Sequence, residues 1–187
     1  EIVLKFSLKS LLKNGQSVII RDNPLTISVS EEYQMNERFY TLPPEKQQRI
    51  INAGFRVFSQ NSYRKSPMQE IADEAGISKS LLFHYFQNKK ELYLFLWNHA
   101  ADITCEHLAL NRCYESSDLF EMMERGMYAK IQMMCRYPDM AAFAMKAFYE
   151  KEPAVYEDIQ SSYRQHFNQN AANALAELNP EDFIPGL

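Results

Sequence analysis

Residues 66–91, SPMQEIADEAGISKSLLFHYFQNKKE, read as two short helices joined by a tight turn, with a third helix starting just after. Ser66-Pro67-Met68-Gln69 combines an N-cap serine, a proline at the first helical position and a glutamine at the third, which is a capping-box start. Ile71, Ala72 and Ala75 recur at helical spacing, and Gly76 stands where a left-handed residue would stop the helix. Ser78 can cap the next helix, whose inward positions are Leu82 and Phe86. Asn88 and Glu91 form a second capping box, and Lys89 and Lys90 enter the first turn it opens.

Helix, glycine turn, helix is the geometry that lays a recognition helix in a DNA major groove. The outward face of the second helix offers Lys79, Ser80, Leu81, Phe83, His84 and Tyr85. Lysine, serine, histidine and tyrosine can all bond phosphates or base edges. Spacing alone leaves a second reading open, in which the stretch is a small helical hairpin whose aromatics are core.

The run AxEAGISKSLLFHYFQNKKEL resembles the signature of the tetracycline-repressor (TetR-like) family of bacterial transcription regulators. Alanine, glycine, serine-lysine, leucine, aromatic-x-x-phenylalanine and lysine-glutamate fall in the family's order. The likeness reaches back through Pro44-Glu45 to Phe58 as a first helix and covers residues 44–96. The resemblance implies an all-α chain. A three-helix helix-turn-helix domain would occupy residues 42–88, and a helical ligand-binding and dimerisation domain residues 89–187. Residues 1–41 would be an extra N-terminal segment. Lys79, Ser80 and Leu81 would face bases; Phe83, His84, Tyr85 and Lys89 would lie along the phosphates, with Ser66 on the same side. Leu82 and Phe86 would be core. This sequence departs from the family at Ser80, often glycine or alanine, and at Leu81, usually small and polar. Phe83 also lacks the hydroxyl of the tyrosine common there.

The same resemblance implies a homodimer on double-stranded DNA carrying an inverted-repeat operator, released by a small apolar effector and needing no cofactor. Repression is the family's usual mode, and activation stays open. The alternative is a helical dimerisation or adaptor protein whose helix-turn-helix binds no DNA.

Composition suits a globular chain with a proper core: 46% of the 187 residues are hydrophobic and 24% charged. The net charge of −4 is unevenly spread. Residues 42–100 carry 8 Lys+Arg against 5 Asp+Glu, while residues 101–187 carry 7 against 14. The basic end would turn toward a polyanion. Cys105, Cys113 and Cys135 are odd in number and lack metal-ligand spacing, so they read as reduced thiols of a cytoplasmic protein. No apolar run approaches a membrane span, and the start has no cleavable signal pattern.

Residues 1–41 are the least legible. Leu4, Leu8, Leu11 and Leu12 suit a basic amphipathic helix, while Ile2, Leu4, Phe6 and Leu8 also alternate as in a strand. Residues 17–29 would make a hairpin, and Met35 would be a natural initiator. Beyond them, helices are expected over Pro44–Gln60, with Gly54 allowing close packing, and from Lys89 to about Leu110. Asp118–Cys135 repeats Leu119, Met123, Met127, Ile131 and Met134. Pro138 opens a helix to about Tyr149, and Pro153 a long one to about Leu178. The family's last helices would be missing after Asn179-Pro180.

Trp97, Met127, Met134, Phe143, Phe148, Tyr163 and His166 lie on the helices that form the effector pocket in the resembled family. Methionine adapts to varied shapes, which suits such a cavity; the plainer reading is that most of these residues are core. His99, Cys105 and His107 suggest no metal site, because the rise from His99 to His107 is about 12 Å. Five isolated glycines make no phosphate-cradling loop, and four scattered histidines show no nucleophile motif, so no enzyme is expected.

Overall fold

A computed structural model describes residues 37–168. The amphipathic stretch and hairpin expected over residues 1–29, Met35, and the chain after Asn168 lie outside the described residues. Within them the fold is all-α, with eight α-helices and no strand. They are α1 (Glu37–Tyr40), α2 (Pro44–Gln60), α3 (Met68–Ala75), α4 (Lys79–Tyr85), α5 (Lys89–Leu110), α6 (Leu119–Arg136), α7 (Pro138–Tyr149) and α8 (Tyr156–Tyr163). A π-helical turn, Arg164–Asn168, continues α8.

The local signals largely set the boundaries. Ser78 caps α4 by accepting from the Leu81 N–H (3.2 Å), and Asn88 caps α5 by accepting from the Glu91 N–H (2.9 Å). Asp118 caps α6 through the amides of Phe120 and Glu121. Gly76 ends α3 at φ +67°, and the Ile77 N–H reaches back to the Ala72 carbonyl (3.0 Å) in a Schellman closure.

Two starts differ from expectation. Ser66 does not cap α3, because its hydroxyl donates instead to the Ser62 carbonyl (2.9 Å) and is buried there. Likewise α8 begins at Tyr156 rather than Pro153, because the Glu152 carbonyl takes the amides of Val155 and Tyr156 in a preceding turn.

One continuous core joins α2 to α7. Phe58 meets Tyr93 edge-on (centroids 4.8 Å), and Phe143 of α7 lies against Phe55, Phe58 and Tyr93 at 5.4, 6.0 and 5.0 Å. Gly54 does permit a close crossing: a Cβ there would stand 2.5 Å from Leu96 Cδ1 of α5. The 22-residue α5, about 33 Å long, buries Leu92, Tyr93, Leu96 and Trp97, with Leu94 and Phe95 half-buried, as its all-round apolar start requires. Phe39 of α1, in the stretch least legible by sequence, is fully buried against Phe86 and Phe95.

The apolar repeat read on α6 is not its buried face. Met122, Gly126, Ala129 and Met133 turn inward, whereas Met127 and Met134 are 60% and 53% exposed. Phe120, Met123, Tyr128 and Ile131 share that exposure. The small residues Gly126 and Ala129 let α6 approach Cys113 and Leu108, and that approach decides which side packs.

Candidate nucleic-acid interface

The interface is built on α4, a helix of 7 residues. Its inward side is held by Leu82, fully buried, and by Phe86 just after it. Lys79, Ser80, Leu81, Phe83 and His84 face outward, with Leu81 and Phe83 each 37% exposed. Tyr85 does not join them. At 9% exposure its ring packs edge-on to Phe39, so it belongs to the core and not beside phosphates. The cause is helical phase, since position 85 falls on the same side as Leu82.

The outward groups are partly organised. The Ser78 and Ser80 hydroxyls lie 3.0 Å apart, and the Lys79 ammonium hovers 5.9 Å from the Phe83 ring centre. Arg38, just ahead of the helix-turn-helix, donates to His84 Nδ1 (3.4 Å). Beside α4 opens a cleft of about 310 Å³ between the Arg64–Gln69 segment and the side chains of Lys79, Phe83 and Lys89. Four cations therefore line one cleft: Arg64, Lys65, Lys79 and Lys89.

Lys89 differs from the expected phosphate ligand. Its ammonium donates to the carbonyls of Arg64 and Ser66, both at 3.2 Å, and sits 4.9 Å over the Tyr63 ring. Burial pushes its pKa below the usual lysine value, and the Glu152 carboxylate opposes that shift. Two of its three N–H bonds are thus engaged by the protein. Ser66, also expected on this side, is buried and helps shape the loop from beneath. Arg64 and Lys65 were not anticipated beside this cleft. Their adjacency just ahead of Ser66-Pro67 was the available signal.

Of the residues expected at an effector pocket, the structure gathers some and scatters others. Trp97 is buried and donates its indole N–H to Ser162 Oγ (2.9 Å), which donates onward to Asn98 Oδ1 (2.6 Å). His166 Nδ1 lies 2.8 Å from the Ser162 carbonyl, and its Nε2 is 3.8 Å from Asp102. Phe148 and Tyr163 pack together at 4.9 Å. Phe143 is fully buried among Phe55, Phe58 and Tyr93, so it is core. Met127 and Met134 lie on the exposed side of α6.

Residues 50–95, from within α2 into α5, match the family model described as bacterial regulatory proteins, tetR family. That stretch is a tetR-family segment. The chain is 42% identical over 60 residues to the HTH-type transcriptional activator FasR of Mycolicibacterium smegmatis, covering 32% of this chain and 27% of that protein. Over 147 residues it is 22% identical to the HTH-type transcriptional regulator RutR of Escherichia coli, covering 74% of this chain and 68% of RutR. The chain thus spans about a quarter of FasR, and the FasR likeness is confined to a single 60-residue stretch. Among solved structures, a TetR family transcriptional regulator from Chloroflexus aurantiacus superposes with a TM-score of 0.56 at 26% identity, over 81% of this chain and 70% of that one. The fatty acid degradation regulator FadR of Bacillus halodurans shares the fold, with a TM-score of 0.60 at 17% identity over 75% of each chain. FasR and RutR are both named as HTH-type transcription regulators. Among the described residues no helix is long and apolar enough to cross a membrane.

Proposed function

We propose that this chain is a ligand-responsive regulator that reads an inverted-repeat operator as a homodimer and is released by a small apolar effector. One observation carries the reading: α4 turns Lys79, Ser80, Leu81 and His84 outward beside a cleft lined by Arg64, Lys65 and Lys89. That combination supplies base-reading side chains flanked by phosphate-neutralising cations. One copy presents few base contacts, and two copies about 34–36 Å apart on one duplex face would double them. The effector would act by shifting the population of head spacings, with α5 as the rigid element between the two parts.

The test separates base reading from phosphate contact. Duplexes are selected from a random pool, and affinities for the selected and a scrambled duplex are measured across salt. Lys79→Ala should lose about 1–3 kcal/mol on the selected duplex and relax its preference. Arg64→Ala should weaken both duplexes alike and lower the salt slope by about one. Equal losses on both duplexes for both variants would refute base reading by Lys79.

The adaptor reading is favoured by one feature, the exposed apolar row Phe120, Met123, Met127, Ile131 and Met134 on α6, which is a surface for another helix. A chain that selects no duplex yet pairs through that row would establish it.

A further inference from the structure

We propose that Glu150, at the end of α7 and far in sequence from the helix-turn-helix, is a positioning residue for DNA binding: its carboxylate fixes the loop that presents Arg64 and Lys65 beside Lys79.

The carboxylate is aimed by its own turn. Oε1 accepts the N–H groups of Lys151 (3.0 Å) and Glu152 (3.2 Å), which holds the side chain back over the end of α7. Oε2 is then free to accept the Tyr63 N–H at 2.9 Å, from a residue 87 positions away. Hydrogen bonds to an ionised acceptor are stronger than neutral ones and more directional in effect.

Tyr63 is the keystone of the loop between α2 and α3. Its ring meets Tyr93 of α5 edge-on at 5.0 Å and carries the Lys89 ammonium on its face at 4.9 Å. Lys89 in turn grips the Arg64 and Ser66 carbonyls, and Ser66 closes on Ser62. These ties hold the loop from within the head and α5. The Glu150 tie holds it from α7, whose Phe143 is wedged among Phe55, Phe58 and Tyr93. Burial first, and the Glu150 charge second, push the Tyr93 phenol above the usual tyrosine pKa. A shift at the end of α7 therefore moves the Tyr63 amide, and with it the two cations that follow it in the chain. This role rests on the reading of the Lys79 face as the DNA interface.

The test compares the wild-type chain with Glu150→Ala and Glu150→Gln. Hydrogen exchange is followed at the Tyr63 and Leu82 amides, and affinity is measured for a fluorescent duplex selected from a random pool by the wild type. Glu150→Ala should speed Tyr63 exchange and weaken the duplex, each about tenfold, while Leu82 exchange is unchanged. Glu150→Gln should recover each only in part, because its single side-chain carbonyl can accept the Tyr63 N–H but not the Lys151 and Glu152 N–H groups as well. Unchanged Tyr63 exchange in Glu150→Ala overturns the tether. Faster exchange with full affinity overturns the positioning role, and so does a parallel rise at Leu82, which would signal general loosening. If the wild type selects no duplex, the DNA reading falls and takes the positioning role with it, while Tyr63 exchange still decides whether the tether exists.

Discussion

Helices α4 and α6 carry similar sequence patterns and resolve them in opposite ways. In α4, Leu82 and Phe86 are buried as their spacing demands, and the outward residues are those a major groove could receive. In α6 the more conspicuous apolar row faces outward, and the row interrupted by Gly126 and Ala129 packs. The difference lies in how many apolar stripes each helix has. A short helix with one stripe, entered through a glycine turn and a serine cap, has a single way to bury it. A longer helix with two stripes can roll, and the closest approach of backbones picks the side.

That contrast can be broken most forcefully at Phe86. It is fully buried against Phe39 and Phe95 at the end of α4. Phe86→Ala should cost about 3–5 kcal/mol of folding stability in denaturant melts. A loss below 1 kcal/mol would mean that α4 is anchored elsewhere.

Two adjacent methionines of α6 sharpen it next. Met133 is 7% exposed and accepts a hydrogen bond from Thr104, whereas Met134 projects outward. Met133→Ala should destabilise by about 2–5 kcal/mol, and Met134→Ala should stay within about 0.5 kcal/mol in the monomeric chain. Reversed magnitudes would show that α6 packs through the row expected from its sequence.

The smallest effect belongs to the turn that fixes α4. At φ +67°, Gly76 has open space around it, with Arg49 Nη1 4.0 Å from where a Cβ would stand. The penalty for a side chain is therefore one of backbone alone, about 1–2 kcal/mol for Gly76→Val. Gly76→Asn should recover part of it, because asparagine tolerates the left-handed region. Calorimetry on the pair checks both, and equal melting temperatures for valine and asparagine would remove the backbone explanation.

The legible parts of this molecule were those with local punctuation. The bounds of α2, α4, α5 and α7 follow from Pro44, Ser78, Asn88 and Pro138, residues whose effect is confined to one turn. The outward face of α4 was legible for the same reason, with Tyr85 the exception: on a helix this short, a residue at the rim is assigned by packing against Phe39, which lies in a part of the chain with no readable pattern. The engagement of Ser66 and Lys89 by carbonyls of the loop between α2 and α3 was not legible, because the Lys89 bonds span 23 and 25 positions and no spacing rule encodes them. The expected pocket wall failed at Met127 and Met134 through the choice of stripe on α6. It was diluted at Phe143, which the crossing of α2 and α7 takes for the core.

Trp97 is the sole tryptophan of the chain, and its indole N–H is donated to Ser162 at the start of the last described turns. The molecule thus contains its own fluorophore at the seam between α5 and α8. Separation of the two helices would expose the indole to solvent and move its emission to longer wavelength, without a label. A library of candidate compounds can be screened optically on the unmodified protein, with the seam itself as the reporter.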